Sequence, residues 1–292
     1  MTEAVRLLAA LRDLELVARR VVDGIRFGAH PSRAAGEGVE FSQFRSYQLG
    51  DDLRRVDWKL FARSERFFVR EAERETSVSV RLAVDASESM GYEEDGVSLL
   101  AAARVVAGVL ALIAGRQGDA VALFPLSDRP TVAAMPANRD RRQVSRVLAA
   151  LERLRPDGAL PDRARLEALL LEGRRGITVL ISDLHERADE LRATAVRLAD
   201  LGHDVTVIHL VGAREREFAY EGAVTFEELE TGRTVRVDAA EARPRYVSAR
   251  NDAWRSLERM FTEHDVSYVR LGLDEPLDDV MRRYLRLRAR RG

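Results

Sequence analysis

The sequence predicts an α/β fold: a Rossmann-like, doubly wound domain with a mostly parallel sheet, an N-terminal helix-plus-strap extension and one β-hairpin insertion. Three observations predict it. From residue 79 onward, strand-length apolar runs alternate with helical stretches, the pattern of βαβ units. The middle runs, I-T-V-L-I-S at 177–182 and V-T-V-I-H-L-V at 205–211, are continuously apolar, as expected where helices cover both faces of a parallel sheet. The run at 80–84 stops abruptly at Asp85, and Ser87 and Ser89 follow at alternate positions.

The elements follow in order. Residues 4–26 carry Leu7, Leu8, Leu11, Leu14, Val17, Val21, Val22 and Ile25 at helical spacing, which reads as one amphipathic helix facing a core. Residues 26–38 hold Gly28, Pro31, Gly36 and Gly38, a loop by composition. The stretch 36–63, G-E-G-V-E-F-S-Q-F-R-S-Y-Q-L-G-D-D-L-R-R-V-D-W-K-L-F-A-R, interleaves opposite charges with Phe41, Phe44, Tyr47, Trp58 and Phe61. Grooves for single-stranded nucleic acid are net positive, and this stretch is not, so an ion-pair network strapping it to the main domain explains it more simply. Residues 67–72 read as a short strand. The expected strands thereafter are 79–85, 119–126, 130–135, 176–182, 204–211 and 266–272. The expected helices are 97–116, 139–154, 162–172, 187–201, 249–264 and 276–290. V-T-F-E and T-V-R-V around Thr231-Gly232 read as a hairpin over 224–238. The division is 1–75, the helix and strap packed on the main domain, and 76–292, the α/β domain.

Composition narrows the function. A chain of 292 residues can bury a substantial core. Its formal charge of −1 points neither to nucleic acid nor to an anionic membrane. Lys59 is the only lysine among 47 basic residues, and the arginines are scattered among acids rather than clustered as a phosphate-binding patch would be. Without cysteine there is no disulfide, thiolate nucleophile or Cys-based zinc site. The opening M-T-E-A-V-R does not resemble a signal peptide. The longest apolar stretch, 99–115, is broken by Arg104, and the clean run 105–114 is too short to cross a hydrocarbon core of about 30 Å. The expectation is a cytoplasmic protein with no membrane insertion and no nucleic-acid partner.

Open α/β sheets bind ligands beyond the carboxyl ends of their strands, where strand order reverses. In a six-stranded order 3-2-1-4-5-6 that crevice lies between the first and fourth strands. Asp85 ends the first and Ser182-Asp183 ends the fourth, so two acids distant in sequence are predicted to meet there beside Ser87 and Ser89. Oxygen-only clusters of this kind suit hard divalent cations; the competing reading is that Asp85 and the serines cap the next helix. His185 could reach the same rim, but the five histidines show no close ligand spacing, and it reads as a surface residue.

The motifs carry a resemblance. D-A-S-E-S at 85–89, G-D-A-V-A-L-F at 118–124 and L-I-S-D-L at 180–184 resemble the motifs of von Willebrand factor A-type domains. The upstream G-x-G-x-E-F, R-x-Y, G-D-D-x-R, V-D-W and A-R elements, spread over 36–63, resemble the signature of the bacterial "domain of unknown function 58" family. That resemblance implies a metal-ion-dependent adhesion site, with Mg²⁺ held by Asp85, Ser87, Ser89 and Asp183 and an open position for a partner's carboxylate. Where the family pattern has a threonine, this chain has Ala159, unless Asp157 or Asp162 substitutes, so the implied site is weak or vestigial. The resemblance also implies a MoxR-type AAA+ ATPase as partner, in complex assembly or chaperone-like remodelling. Three functions follow as expectations: a non-enzymatic protein-interaction module, a metal-assisted hydrolase using Asp85, Asp183 and His185, and a metal-free scaffold.

Overall fold

The computed structural model describes residues 13–28, 43–47, 58–64, 66–71, 78–172, 175–227 and 233–289. They belong to two compact units, one made of 1–28 with 78–292 and the other of 29–77. The first helix, α1 (Leu14–Gly28), therefore belongs to the sheet unit and not to the segment that follows it. Leu14, Val17, Ala18, Val21 and Val22 form its buried stripe, the spacing of one helix face, and Asp13 accepts the Leu16 N–H at 2.9 Å.

The 29–77 unit contains β1 (Gln43–Ser46), α2 (Trp58–Ser64) and β2 (Phe68–Glu71), with β1 and β2 antiparallel. Phe61 stacks on Phe67 at 4.4 Å, and Trp58 meets both edge-on. The ion pairs expected within 36–63 fall largely outside the described residues.

The larger unit is built on β3 (Ser79–Asp85), β6 (Ala120–Leu126), β7 (Met135–Asn138), β8 (Ile177–Ser182), β9 (Asp204–Val211) and β12 (Ser267–Gly272). A short hairpin, β4 (Glu93–Glu94) with β5 (Val97–Ser98), follows a 3-10 turn at Glu88–Gly91. The sheet runs β12-β9-β8-β3-β6-β7, parallel except for β7. This is the predicted order 3-2-1-4-5-6. On one face α1 packs with α3 (Leu99–Arg116), α4 (Gln143–Arg153) and, beyond β12, the last helix (Leu277–Ala289). Gly108 on α3 permits the close approach: a Cβ there would meet Leu148 at 3.2 Å and Ala18 at 3.5 Å. The other face is covered by α5 (Arg163–Leu170), α6 (Glu190–Asp200) and the helix that precedes β12. Side chains alternate accordingly, Leu82 and Val84 toward the first layer and Ala83 toward the second. By length and composition α3 would pass for a membrane span, yet 72% of that window is buried inside this fold, where it is the central core helix.

Two elements differ most from the sequence reading. The third strand was expected at 130–135 and lies at Met135–Asn138, antiparallel to β6. The stretch before it turns back on the loop after α4: the Ser127 hydroxyl donates to the Asp157 carbonyl, and Arg155 N–H donates to Thr131 Oγ1 at 3.0 Å. Its polar groups are thus taken by a loop rather than by a sheet neighbour. After α7 (Ala213–Glu217), the hairpin β10 (Ala223–Glu227) and β11 (Thr234–Asp238) forms as predicted, with 228–232 outside the described residues. Next, α8 (Ala239–Glu263) begins about a turn and a half before Pro244 instead of near 249. Asp238 caps it, accepting from Ala240 N–H at 2.9 Å and Glu241 N–H at 3.2 Å. Pro244 lies past the first turn, so it forgoes one intrahelical hydrogen bond, the one its position would make to the Ala240 carbonyl. The last helix, α9, spans Leu277–Ala289.

Candidate functional site

The site follows from the register of two neighbouring strands. Val84 of β3 pairs with Ile181 of β8, so Asp85 and Ser182-Asp183 leave the sheet side by side. Asp85 is 1% exposed, Ser87 and Ser182 0%, and Asp183 2%. Asp85 Oδ1 accepts from the Ser87 N–H at 2.9 Å and the Ser87 hydroxyl at 2.7 Å, and its Oδ2 accepts from the Ser182 hydroxyl at 2.6 Å. Ser87 Oγ lies 3.1 Å from Ser89 Oγ, and Ser89 in turn hydrogen bonds the Asp183 side chain. Asp183 accepts from the His185 N–H at 3.1 Å and meets His185 Nδ1 at 3.2 Å. All four residues predicted for the site therefore lie in one run of polar contacts, Asp85–Ser87–Ser89–Asp183, in which the Ser89 hydroxyl proton serves either Ser87 or Asp183. The helix-cap reading does not describe them: Ser87 precedes the 3-10 turn without a side-chain cap bond, and it is Ser98 that caps α3.

Electrostatics separates the two acids. Burial, and then the charge of Asp183, pushes the Asp85 carboxyl up to about 7. Burial works the same way on Asp183, but the His185 hydrogen bond and charge outweigh it and hold Asp183 below the usual carboxylate range. The hydrogen bond to Asp183 raises His185 to about 9, so the imidazole is cationic at neutral pH. Its side chain is still 59% exposed, at the mouth of the crevice.

Two buried acids sharing a site, with the outer one matched by a cation and the inner one not, form the kind of donor set a divalent cation relieves. Among the described residues no group of three or more acids and imidazoles is placed to hold a metal, so any such site depends on the serine hydroxyls. Asp85, Ser87, Ser89 and Asp183 are the side-chain oxygens that the crevice would offer a hard cation such as Mg²⁺.

The facing loop adds no further side-chain oxygen. Ala159 exchanges backbone bonds with Asp128: its N–H donates to Asp128 Oδ1 and its carbonyl accepts the Asp128 N–H, both at 2.9 Å. Both proposed substitutes already have a partner. Asp157 pairs with Arg129 at 3.2 Å, and Asp162 caps α5 by accepting the Arg165 N–H at 2.9 Å. Gly158 holds the loop against the site, its carbonyl accepting the Glu88 N–H at 2.8 Å with φ at +73°.

Beside the acid–hydroxyl cluster opens a cavity of about 920 Å³, with Ser89, Asp183 and His185 on one wall. Phe218, Tyr220, Phe226 and Tyr246, from the segment after β9, the hairpin and α8, form the other, and Glu215 lines it as well. Burial raises Glu215 above the usual carboxylate range. Sequence reading missed this wall and Glu215, and it placed Ser182 at the strand end without giving it a role. The available signal was the aromatic spacing at 218, 220 and 226, next to a hairpin that the strand–helix alternation does not require. His185, read as a surface residue, is exposed but bound to Asp183.

Residues 43–255 match the family described as "Protein of unknown function DUF58". An uncharacterized protein of Mycobacterium tuberculosis is 30% identical over 234 residues, covering 78% of this chain and 72% of its own length, and an uncharacterized protein of Mycobacterium bovis matches equally. Among solved structures, the conserved hypothetical protein BatB from Bacteroides thetaiotaomicron has a TM-score of 0.45 at 14% identity, covering 73% of this chain and 100% of that one. The SpRpn10 VWA domain has a TM-score of 0.39 at 13% identity, covering 70% and 94%. The von Willebrand factor A-like fold stands on the sheet order and the strand-end motif of this chain. With the greater part of its length inside the match, the chain belongs to the DUF58 family.

Proposed function

We propose that this protein is a non-enzymatic interaction module whose crevice between β3 and β8 engages a protein partner. One observation carries the reading: the four residues form a run of polar contacts, buried except at Ser89, that opens onto a cavity of about 920 Å³. Concave, largely apolar sites with a few convergent polar groups are where ligands bind. Asp85, Ser87, Ser89 and Asp183 would hold Mg²⁺; when bound, the ion supplies an electrophilic position for a partner's carboxylate. The partner we propose, following the family resemblance, is a MoxR-type AAA+ ATPase, and the compartment is the cytoplasm.

A binding titration against such an ATPase, with Mg²⁺ and with chelator, tests this. Mg²⁺ should tighten binding about tenfold or more, the scale of a charge-assisted contact. Ser89→Ala and Asp183→Asn should remove that gain while circular dichroism shows an intact fold. Binding indifferent to the ion and to both substitutions would exclude this crevice as the contact.

One observation favours a second reading, hydrolysis: Asp183 and His185 form an acid–imidazole pair facing the cavity. At about 9 the imidazole is protonated near pH 7, so its role in that reading is general acid rather than general base. A phosphatase and nuclease screen with Mg²⁺ and Mn²⁺ separates the two; turnover lost in His185→Asn would establish the enzyme.

A further inference from the structure

The aromatic wall of the cavity has a specific construction. Phe218 is 3% exposed and braces three part-buried rings, with centroids 5.3 Å to Tyr220, 5.7 Å to Phe226 and 4.7 Å to Tyr246. Tyr220 and Phe226 stand edge-to-face at 5.1 Å. The rings are fixed relative to one another, and the outer three line the open space. Glu215, one helical turn before Phe218, lines it too with its side chain 25% exposed, and meets His185 Nε2 only at 3.9 Å.

The lining's other charges are already engaged. Asp183 holds His185, and Glu186 accepts from Arg192 Nε at 2.6 Å and from the first turn of α6. His185 and Arg187 likewise have partners. The carboxylate facing the rings is Glu215, which accepts the Gly212 N–H and interacts with the charges of His185 and Arg250. Ring faces carry negative quadrupole charge and attract ammonium and guanidinium groups, more strongly where water is excluded. Rings plus one acid make a wall complementary to a cation carried on an apolar stem, which describes a lysine side chain.

We propose that this pocket takes a lysine side chain presented by a partner polypeptide. The cavity is larger than one side chain requires, so the bound segment is several residues long. That the lysine belongs to a polypeptide rests on the interaction-module reading; that the pocket takes an alkylammonium group does not.

The test is a calorimetric titration of the full chain in chelator with Nα-acetyl-lysine N-methylamide. Its neutral isostere, the norleucine derivative, and the tyrosine derivative serve as comparisons. The lysine derivative should bind in the millimolar range, about fivefold or more tighter than norleucine, the scale of a cation–π contact reinforced by an acid. Glu215→Gln should weaken lysine about fivefold and leave norleucine unchanged, and Tyr246→Leu should do the same to a lesser degree. A lysine-centred heptapeptide should bind about tenfold tighter than the capped amino acid, as added contacts accumulate. Equal binding of norleucine, preference for tyrosine, no binding up to tens of millimolar, or indifference to Glu215→Gln would overturn the pocket. A heptapeptide no tighter than the capped amino acid would overturn the polypeptide. With chelator present, none of these results depends on Mg²⁺, so failure here and failure of the Mg²⁺-assisted contact are distinguishable.

Discussion

His209 ties the acid crevice to the far side of the sheet unit, and its chemistry is measurable. It pairs across strands with Ser182; its Nδ1 lies 2.6 Å from the Tyr268 hydroxyl, and the Asp183 main chain is a second partner. Burial first, then the positive charge of His185, pushes it down to about 3 from 6.5. The unfolded chain therefore takes up a proton below about 6.5 that the fold refuses until about 3. The contribution is complete above the upper value and is lost as pH falls toward the lower one. Between pH 7 and pH 4 that loss is on the order of 3 kcal/mol, at about 1.4 kcal/mol per unit. Urea unfolding of His209→Gln should show a shallower fall over this interval than the parent; parallel curves would mean the ring is not kept neutral. At this scale the convergence of Asp85, Ser87, Ser89 and Asp183 was legible in the sequence, because a strand end fixes where residues emerge. It did not disclose Glu215 or the rings around Phe218, because their convergence depends on how a loop, a hairpin and a helix pack.

Elements were legible where hydrophobic period decides them and illegible where a loop competes. The parallel strands β3, β8 and β9 fall within a residue of their expected bounds, since continuous apolar runs have one place to go in a two-faced sheet. β7 lies later than the pattern suggests because the stretch before it pairs with the loop after α4, Ser127 donating to Asp157 and Thr131 accepting from Arg155, a pairing no local pattern announces. That loop offers the element-scale prediction. Gly158 sits at φ +73°, and a Cβ built there would fall 2.0 Å from Asp128 Oδ1, the atom that accepts the Ala159 N–H. Gly158→Ala should cost about 2 kcal/mol, combining left-handed strain with one weakened hydrogen bond, and lower Tm by roughly 4–8 °C. Asp128→Ala should reproduce the hydrogen-bond part without the strain. An unshifted Tm in Gly158→Ala would show that the loop rearranges freely, and the crevice would then lack a fixed far wall.

For the whole molecule, the cation binding we propose would be linked to protonation and to stability. A ligand that binds only the folded chain adds about 2.7 kcal/mol at 100 times its Kd, which for a domain of this size raises Tm by roughly 5–11 °C. Metal and proton compete for the same carboxylate, and Asp85 titrates at about 7. The Mg²⁺-induced rise in Tm should therefore be larger at pH 8 than at pH 6, and absent in Asp85→Asn. Ala159 leaves the facing loop without a hydroxyl at the position where the family pattern has threonine, while Asp157 and Asp162 are occupied by Arg129 and by the cap of α5. Ala159→Thr should then lower the Mg²⁺ concentration needed for half of the shift, with little change in Tm in chelator, because Ala159 is only half-buried. Differential scanning fluorimetry across a Mg²⁺ series at both pH values reads all of this. If the parent and Ala159→Thr both ignore Mg²⁺ at pH 8, the buried chain from Asp85 to Asp183 acts as a hydrogen-bonded brace between β3 and β8. Partner binding would then have to be sought on the aromatic side of the cavity, where Glu215 and its rings need no metal.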